Sequence, residues 1–357
     1  MPCRLAITSM SLGRSYAGHS LPHKLDMARL YGYRGIELFY EDLLQVAEQI
    51  PDGTTENREL EAAQIIRQLC QERGLTIVCL QPFAHYEGLV DRQEHLRRLE
   101  QLSSWFQVAR ALGTDMVQIP SNFLPSSELL EDPSVAVADL REVADMGLRE
   151  DPPVRFVYEA LCWGTRCDHW EQSWDLVQAI DRPNFGLCLD TFNIAGRIFA
   201  DPSSPTGCTP NCDQVVQESM ARLLDTVDVQ KVFYVQVVDA ERLAEPLVEG
   251  HEYYDVEQPP RMSWSRNCRL FYGEKDRGAY LPVAEISQAI FQGLGFEGWV
   301  SMELFNRRMS DMDEAVPQEL ASRGAVAWAK LVKDMKIRAE PLISSVVPVS
   351  RRIAASL

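Results

Sequence analysis

Three carboxylates stand where an apolar run should exclude them. The runs VRFVYEAL (154–161), FGLCLDTFN (185–193) and WVSMELF (299–305) read as buried strands, and each carries one acid near its C-terminal end: Glu159, Asp190 and Glu303. A fourth run, KVFYVQVVDA (231–240), carries Gln236. A charge at the mouth of a core strand costs free energy unless it is paired or coordinated. Three acids sharing one small mouth would repel one another and take up protons unless a cation neutralises them. A divalent metal satisfies all of them at once. Carboxylates and an amide oxygen are hard donors, which suit Mn²⁺ or Mg²⁺, with Co²⁺ or Zn²⁺ also admissible. Taken singly, each residue could instead satisfy a neighbouring arginine or a loop amide. Asp239, three residues past Gln236, reads as a loop cap or a support for a ligand.

For these side chains to meet, strands far apart in sequence must end side by side. Short β-rich runs do alternate with amphipathic segments along nearly the whole chain. LAITSMSL (5–12), GIELF (35–39), TIVCLQPF (76–83) and MVQIPS (116–121) precede the four runs already named, and a helical pattern follows each of the eight. Gly32, Gly74, Gly113 and Gly295 close helices as C-terminal caps. Eight consecutive strand-helix units predict the α/β class and a closed (β/α)8 TIM barrel, whose active site lies at the C-terminal ends of its strands. An open doubly wound sheet commonly has fewer strands. The expected domain is a single barrel over 1–336, followed by a tail over 337–357. One segment interrupts the pattern, a long insertion over 241–281 after strand seven. Loops of that length are usually functional lids or disordered, and Tyr253, Tyr254, Trp264, Phe271 and Tyr272 argue for an ordered, lid-like one.

Composition narrows the function. A net charge of -17 and a pI near 4.9 oppose a nucleic-acid partner. No apolar run approaches a membrane span and no leader pattern opens the chain, so a cytoplasmic protein is expected. Nine cysteines without zinc or redox spacing read as reduced thiols. No nucleotide-binding glycine motif is present. A small molecule is the expected partner, with homo-oligomerisation the other association the composition permits.

Longer stretches carry a family likeness. LAITSMSLGRSYAGHSLPHKLDMARLYGYRGIELFYEDL, LQPFAHYEGL, YEALCWG, LCLDTFNIAGR, VQVVDAERL, WSRNCRLFYGE and SMELFNRR span nearly the whole chain. Together they resemble the xylose isomerase-like TIM barrels and, within them, the fungal 3-dehydroshikimate dehydratases of quinate catabolism. The resemblance implies a hydro-lyase that turns 3-dehydroshikimate, a carboxylate, into protocatechuate and water, with Glu159, Asp190, Gln236 and Glu303 around a divalent metal. The chemistry gives that set its own rationale. The departing proton lies α to a ketone flanked by a hydroxyl, and a Lewis acid at both oxygens stabilises the charge that develops. The β-hydroxyl then leaves and the ring becomes aromatic.

Such a reaction needs a base and a carboxylate anchor. His85, just past strand three, has a reference pKa near neutrality and is the expected base, with a loop-orienting role as the other reading. His19, His23, His95, His169 and His251 have weaker claims. Arg266 is the first choice for the substrate carboxylate and Arg269 the second, since a guanidinium offers a bidentate fork. Asn193 is expected on a substrate hydroxyl or capping a helix. Trp163 and Phe83 are expected as apolar walls for the ring, and Glu37 is a polar candidate without an assigned role. A metal-dependent sugar isomerase or epimerase would share this logic and differ in walls, base and arginine. A repair nuclease of the same superfamily predicts a histidine-rich zinc site and a basic groove, which this composition opposes. A barrel kept as a small-molecule sensor would bind without turnover.

Overall fold

The alternation of elements resolves, in a computed structural model describing residues 2–341, into eight parallel strands closed on themselves. The barrel strands are β1 (Arg4–Thr8), β2 (Gly35–Phe39), β3 (Thr76–Gln81), β4 (Met116–Pro120), β5 (Arg155–Glu159), β6 (Phe185–Asp190), β7 (Val232–Gln236) and β10 (Trp299–Met302). They neighbour one another in chain order, with β1 paired to β10. Around them lie α1 (Leu21–Leu30), α3 (Thr55–Glu72), α4 (Arg92–Leu112), α5 (Pro133–Leu148), α6 (Trp170–Ile180), α8 (Cys212–Thr226), α10 (Val283–Gln288) and α11 (Val316–Met335). The four glycines expected as caps all have positive φ, between 65° and 85°. The tail expected from residue 337 begins with pairing: Cys3 N–H donates to Arg338 O and Glu340 N–H to Cys3 O. Its part beyond 341 lies outside the described residues.

Three helices were not foreseen: α2 (Tyr40–Glu48), α7 (Thr191–Ile198) and α9 (Pro260–Cys268). The apolar run FGLCLDTFN therefore is not strand to its end. Asp190 Oδ1 accepts from Phe192 N–H at 2.8 Å and caps α7, so the chain turns from strand to helix at the acid itself. The seventh run also divides. β7 stops at Gln236, and β8 (Asp239–Ala240) leaves the barrel to pair antiparallel with β9 (Arg269–Leu270).

The insertion is ordered. Trp264 on α9 is fully buried and its indole N–H donates to Glu241 O at 2.9 Å. Asp239 Oδ1 accepts from the N–H groups of Ala240, Tyr280 and Leu281 at 2.8, 3.1 and 2.9 Å, so one oxygen fastens both ends of the excursion. That is the loop-cap role expected for it.

Side-chain alternation along each strand builds the interior in layers. Ala6, Cys79, Met116, Val157, Cys188, Tyr234 and Trp299 form an apolar cluster inside the barrel. Two residues further along their strands stand Thr8, Gln81, Gln118, Glu159, Asp190, Gln236 and Ser301, all buried. Glu37 on β2 pairs in register with Thr8, and Glu303 follows Ser301 by another two-residue step. A polar tier thus caps an apolar one.

Candidate active site

Glu159, Asp190 and Glu303 bring one carboxylate oxygen each to within 4.8 Å of the others, and all three are buried. Asn193, one turn into α7, bridges two of them: its amide N–H donates to Glu159 Oε1 at 2.7 Å and Asp190 Oδ2 at 2.8 Å. Its oxygen accepts from Cys162 N–H at 3.0 Å, which settles the direction of the amide. Gln118 donates to the other oxygen of Glu159. Gln81 donates to Glu303 Oε1 at 3.2 Å. From the insertion, Arg269 reaches Asp190 at 2.9 Å and Glu303 at 3.2 Å through Nη1. The rings of Phe192 and Phe305 lie 4.2 and 4.8 Å from its guanidinium carbon.

Gln236 is fully buried beside Asp190 in register. Its Nε2 donates to Glu37 Oε2 at 3.0 Å, and its Oε1 accepts from the Cys188 thiol at 3.3 Å. Glu37 also accepts from Gln81 at 2.7 Å and from the Thr8 hydroxyl at 3.1 Å. Four acids are therefore buried together, and one guanidinium pairs with two of them, Asp190 and Glu303. Burial pushes Glu159 far above the usual carboxylate range, and the charges of Glu303 and Asp190 add to it. Glu303 is pushed up to about 8, by burial and then by Glu37. Burial also raises Asp190 and Glu37. Crowded, dry, hard-oxygen donors with one countercharge between them have the chemistry of a divalent-cation site.

A cavity of about 610 Å³ opens among Met10, Arg14, Phe39, Tyr253, Arg266 and Phe305, between the ends of β1, β2 and β10 and the insertion. Arg266 lines it and has no hydrogen-bond or ion-pair partner among the described residues. Arg14 is spent on Glu41, at 2.6 Å. Arg269, the second choice for a substrate carboxylate, is instead committed to the acid cluster and does not line this cavity. Asn193 supports two carboxylates and lies inside α7 rather than at its cap.

The expected apolar walls separate. Phe83 belongs to the core, its ring centroid 5.1 Å from that of Trp105 and 5.9 Å from that of Tyr86. Trp163 is half-buried against the same core, with its indole N–H unpartnered. His85 lies past β3, off the cavity lining, with its ring edge-on to Phe123 at 4.3 Å. Burial holds its pKa below the usual imidazole value. Sequence reasoning missed Thr8, Gln81 and Gln118 as supports. The signal that finds them is the two-residue step from an apolar interior position to a polar one.

Residues 25–331 match the xylose isomerase-like TIM barrel family. Over 364 aligned residues the chain is 60% identical to the 3-dehydroshikimate dehydratase of Neurospora crassa, covering 100% of both proteins. It is 32% identical over 290 residues to a 3-dehydroshikimate dehydratase of Pseudomonas aeruginosa, covering 80% of this chain but only 36% of that longer protein. A solved xylose isomerase-like TIM barrel/4-hydroxyphenylpyruvate dioxygenase fusion protein superposes with a TM-score of 0.70 at 26% identity, over 97% of this chain and 46% of that one. With eight strands closed around a buried acid cluster and a match over most of its length, this chain belongs to the xylose isomerase-like TIM barrel family.

Proposed function

We propose that the protein is a 3-dehydroshikimate dehydratase, a hydro-lyase that forms protocatechuate and water. The observation that carries this reading is 60% identity to the Neurospora crassa enzyme across the full length of both chains. The buried triad of Glu159, Asp190 and Glu303 supports it.

Glu159, Asp190, Glu303 and the Gln236 amide oxygen would hold Mn²⁺ or Mg²⁺ as their cation. Bound there, the ion supplies Lewis acidity toward the ketone and hydroxyl oxygens of the substrate. The protein's own groups do the rest. Asn193, Gln118 and Gln81 hold the carboxylates in place by hydrogen bonds. Arg269 lowers the repulsion among them. Arg266, with its donors unspent in the cavity, takes the substrate carboxylate. His85 removes the α-proton. The electron pair of that C–H bond becomes the new ring double bond as the β C–O bond breaks, the hydroxide leaves as water with the proton His85 took up, and transfer of a ring CH2 proton to the ketone oxygen completes the aromatic ring. The insertion acts as a lid that excludes solvent during this step.

The acidic surface and the absence, among the described residues, of any helix long and apolar enough to cross a membrane fit a small-molecule enzyme. Nine unpaired cysteines, seven of them buried, favour a reducing compartment such as the cytoplasm. The test is direct. Purified protein given Mn²⁺ and 3-dehydroshikimate should accumulate protocatechuate, read by its absorbance. No product with 3-dehydroshikimate, together with interconversion of ketose epimers, would move the assignment to a sugar epimerase.

A further inference from the structure

His85 occupies a backbone conformation that side-chain-bearing residues seldom adopt. Its φ is 58°, in the left-handed region, and the loop is clamped there by Arg98, whose guanidinium donates to Ala84 O at 2.8 Å and His85 O at 3.3 Å. Strain of this kind persists where the surroundings enforce it, and it concentrates at functional positions. Among the described residues the ring has one hydrogen-bond partner, Asn122 Oδ1, 3.2 Å from Nδ1.

The direction of the Asn122 amide is decided by groups that cannot reverse their roles. Leu124 N–H, a donor only, points at Oδ1 from 3.1 Å, while Glu87 O, an acceptor only, receives Nδ2–H at 2.9 Å. Oδ1 therefore faces the imidazole, and an oxygen acceptor requires Nδ1 to carry the proton. The clamp extends further. Asn122 N–H donates to Glu87 Oε1 at 2.7 Å, and that oxygen also accepts the Tyr158 hydroxyl at 2.8 Å. Asn122, Glu87 and Tyr158 are all buried. Tyr158 stands on the outer face of β5, next in sequence to Glu159. One strand thus presents a carboxylate to the acid cluster and anchors the histidine's partner.

We infer that Asn122 is a positioning residue that fixes His85 as the Nδ1–H tautomer, leaving Nε2 as the basic nitrogen. This rests on the assignment of His85 as the base. The charged groups facing the ring are Arg98, which disfavours the imidazolium, and Glu128, which favours it; with burial as the larger effect, the ring stays neutral near pH 7. A neutral ring with its acceptor nitrogen fixed is the form a general base requires.

Long-range proton-nitrogen correlation spectra of the full chain, labelled at histidine, read the tautomer without turnover, and His85→Gln assigns the signal. The wild type should show a protonated Nδ1 and a bare Nε2. Asn122→Ala should release the ring to a mixture of tautomers and lower kcat about tenfold, with KM changed far less. A wild-type ring protonated on Nε2 overturns the inference even if the variant fails to fold, as does an unchanged tautomer in a folded Asn122→Ala. Full activity in His85→Ala counts against the base assignment alone, because the tautomer is measured independently.

Discussion

The mouth of the barrel divides into two halves that end at the same level and do opposite work. The half formed by β5, β6, β7 and β10 turns Glu159, Asp190 and Glu303 toward one point and sets Gln236 beside Asp190 in register. The half formed by β1 to β4 offers Thr8, Glu37, Gln81 and Gln118, which reach across and occupy outer positions on those groups. Glu37 is the exception that explains the rule. It is an acid in the supporting half, and its oxygens accept from Thr8, Gln81 and Gln236, which sets the direction of two amides. The difference teaches that a cluster of buried acids is only as ordered as the donors opposite it. Buried polar networks hold one geometry when every member is satisfied.

The division can be broken from either side. Glu303→Gln removes an ionisable oxygen donor from the acid-bearing half, and should lower activity by more than the roughly 10–100-fold typical of a supporting residue; dehydratase assays across a Mn²⁺ titration check this. Gln118→Ala and Gln81→Ala should stay within about 10–100-fold, expressed mainly as weaker metal affinity in calorimetric titration. If they matched Glu303→Gln, the two halves would not be distinct.

Arg269 and Arg266 sharpen the same contrast between a buried, committed group and an open one. Arg269→Met leaves buried acids without their countercharge and should cost about 3–5 kcal/mol in chelator, with much of the loss recovered in saturating Mn²⁺; denaturant melts measure both. Arg266→Ala should leave stability nearly unchanged and raise KM for 3-dehydroshikimate with a smaller effect on kcat.

A pH-dependent effect concerns Glu87, whose pKa burial raises from 4.5 to about 7. Below 4.5 the acid is neutral folded and unfolded, and contributes nothing to the pH dependence. Between 4.5 and about 7 the unfolded chain releases the proton and the folded one keeps it, so stability falls as pH rises, by about 3 kcal/mol at most. Glu87→Gln should flatten that slope in unfolding curves taken across this window.

The acid-bearing half was the legible half. A carboxylate inside an apolar run violates the pattern around it, so Glu159, Asp190 and Glu303 were conspicuous from sequence. Thr8, Gln81 and Gln118 violate nothing, because a neutral polar residue in a strand is ordinary until the strand's inward face is known. The barrel itself followed from the count of alternating units. The helix α7 did not, since its cap is the same acid that reads as a ligand and its first residues continue the apolar run. Arg269 and Phe83 were misplaced for a related reason. An arginine in a loop over the site reads as an anchor for the substrate carboxylate and an aromatic beside a site reads as its wall, and only tertiary packing drew the one onto the buried acids and the other into the core.

Asp239 has a consequence for how this architecture can change. Because a single oxygen gathers the N–H groups at the departure and the return of the excursion, the two ends are stitched together whatever lies between them. The excursion is then a cassette hung on a common seam, and its length and composition can diverge without disturbing the curvature of the strands. A shorter excursion grafted at Ala240 and Tyr280 that keeps Arg269 on Asp190 and Glu303 should leave the eight strands and their acids in register.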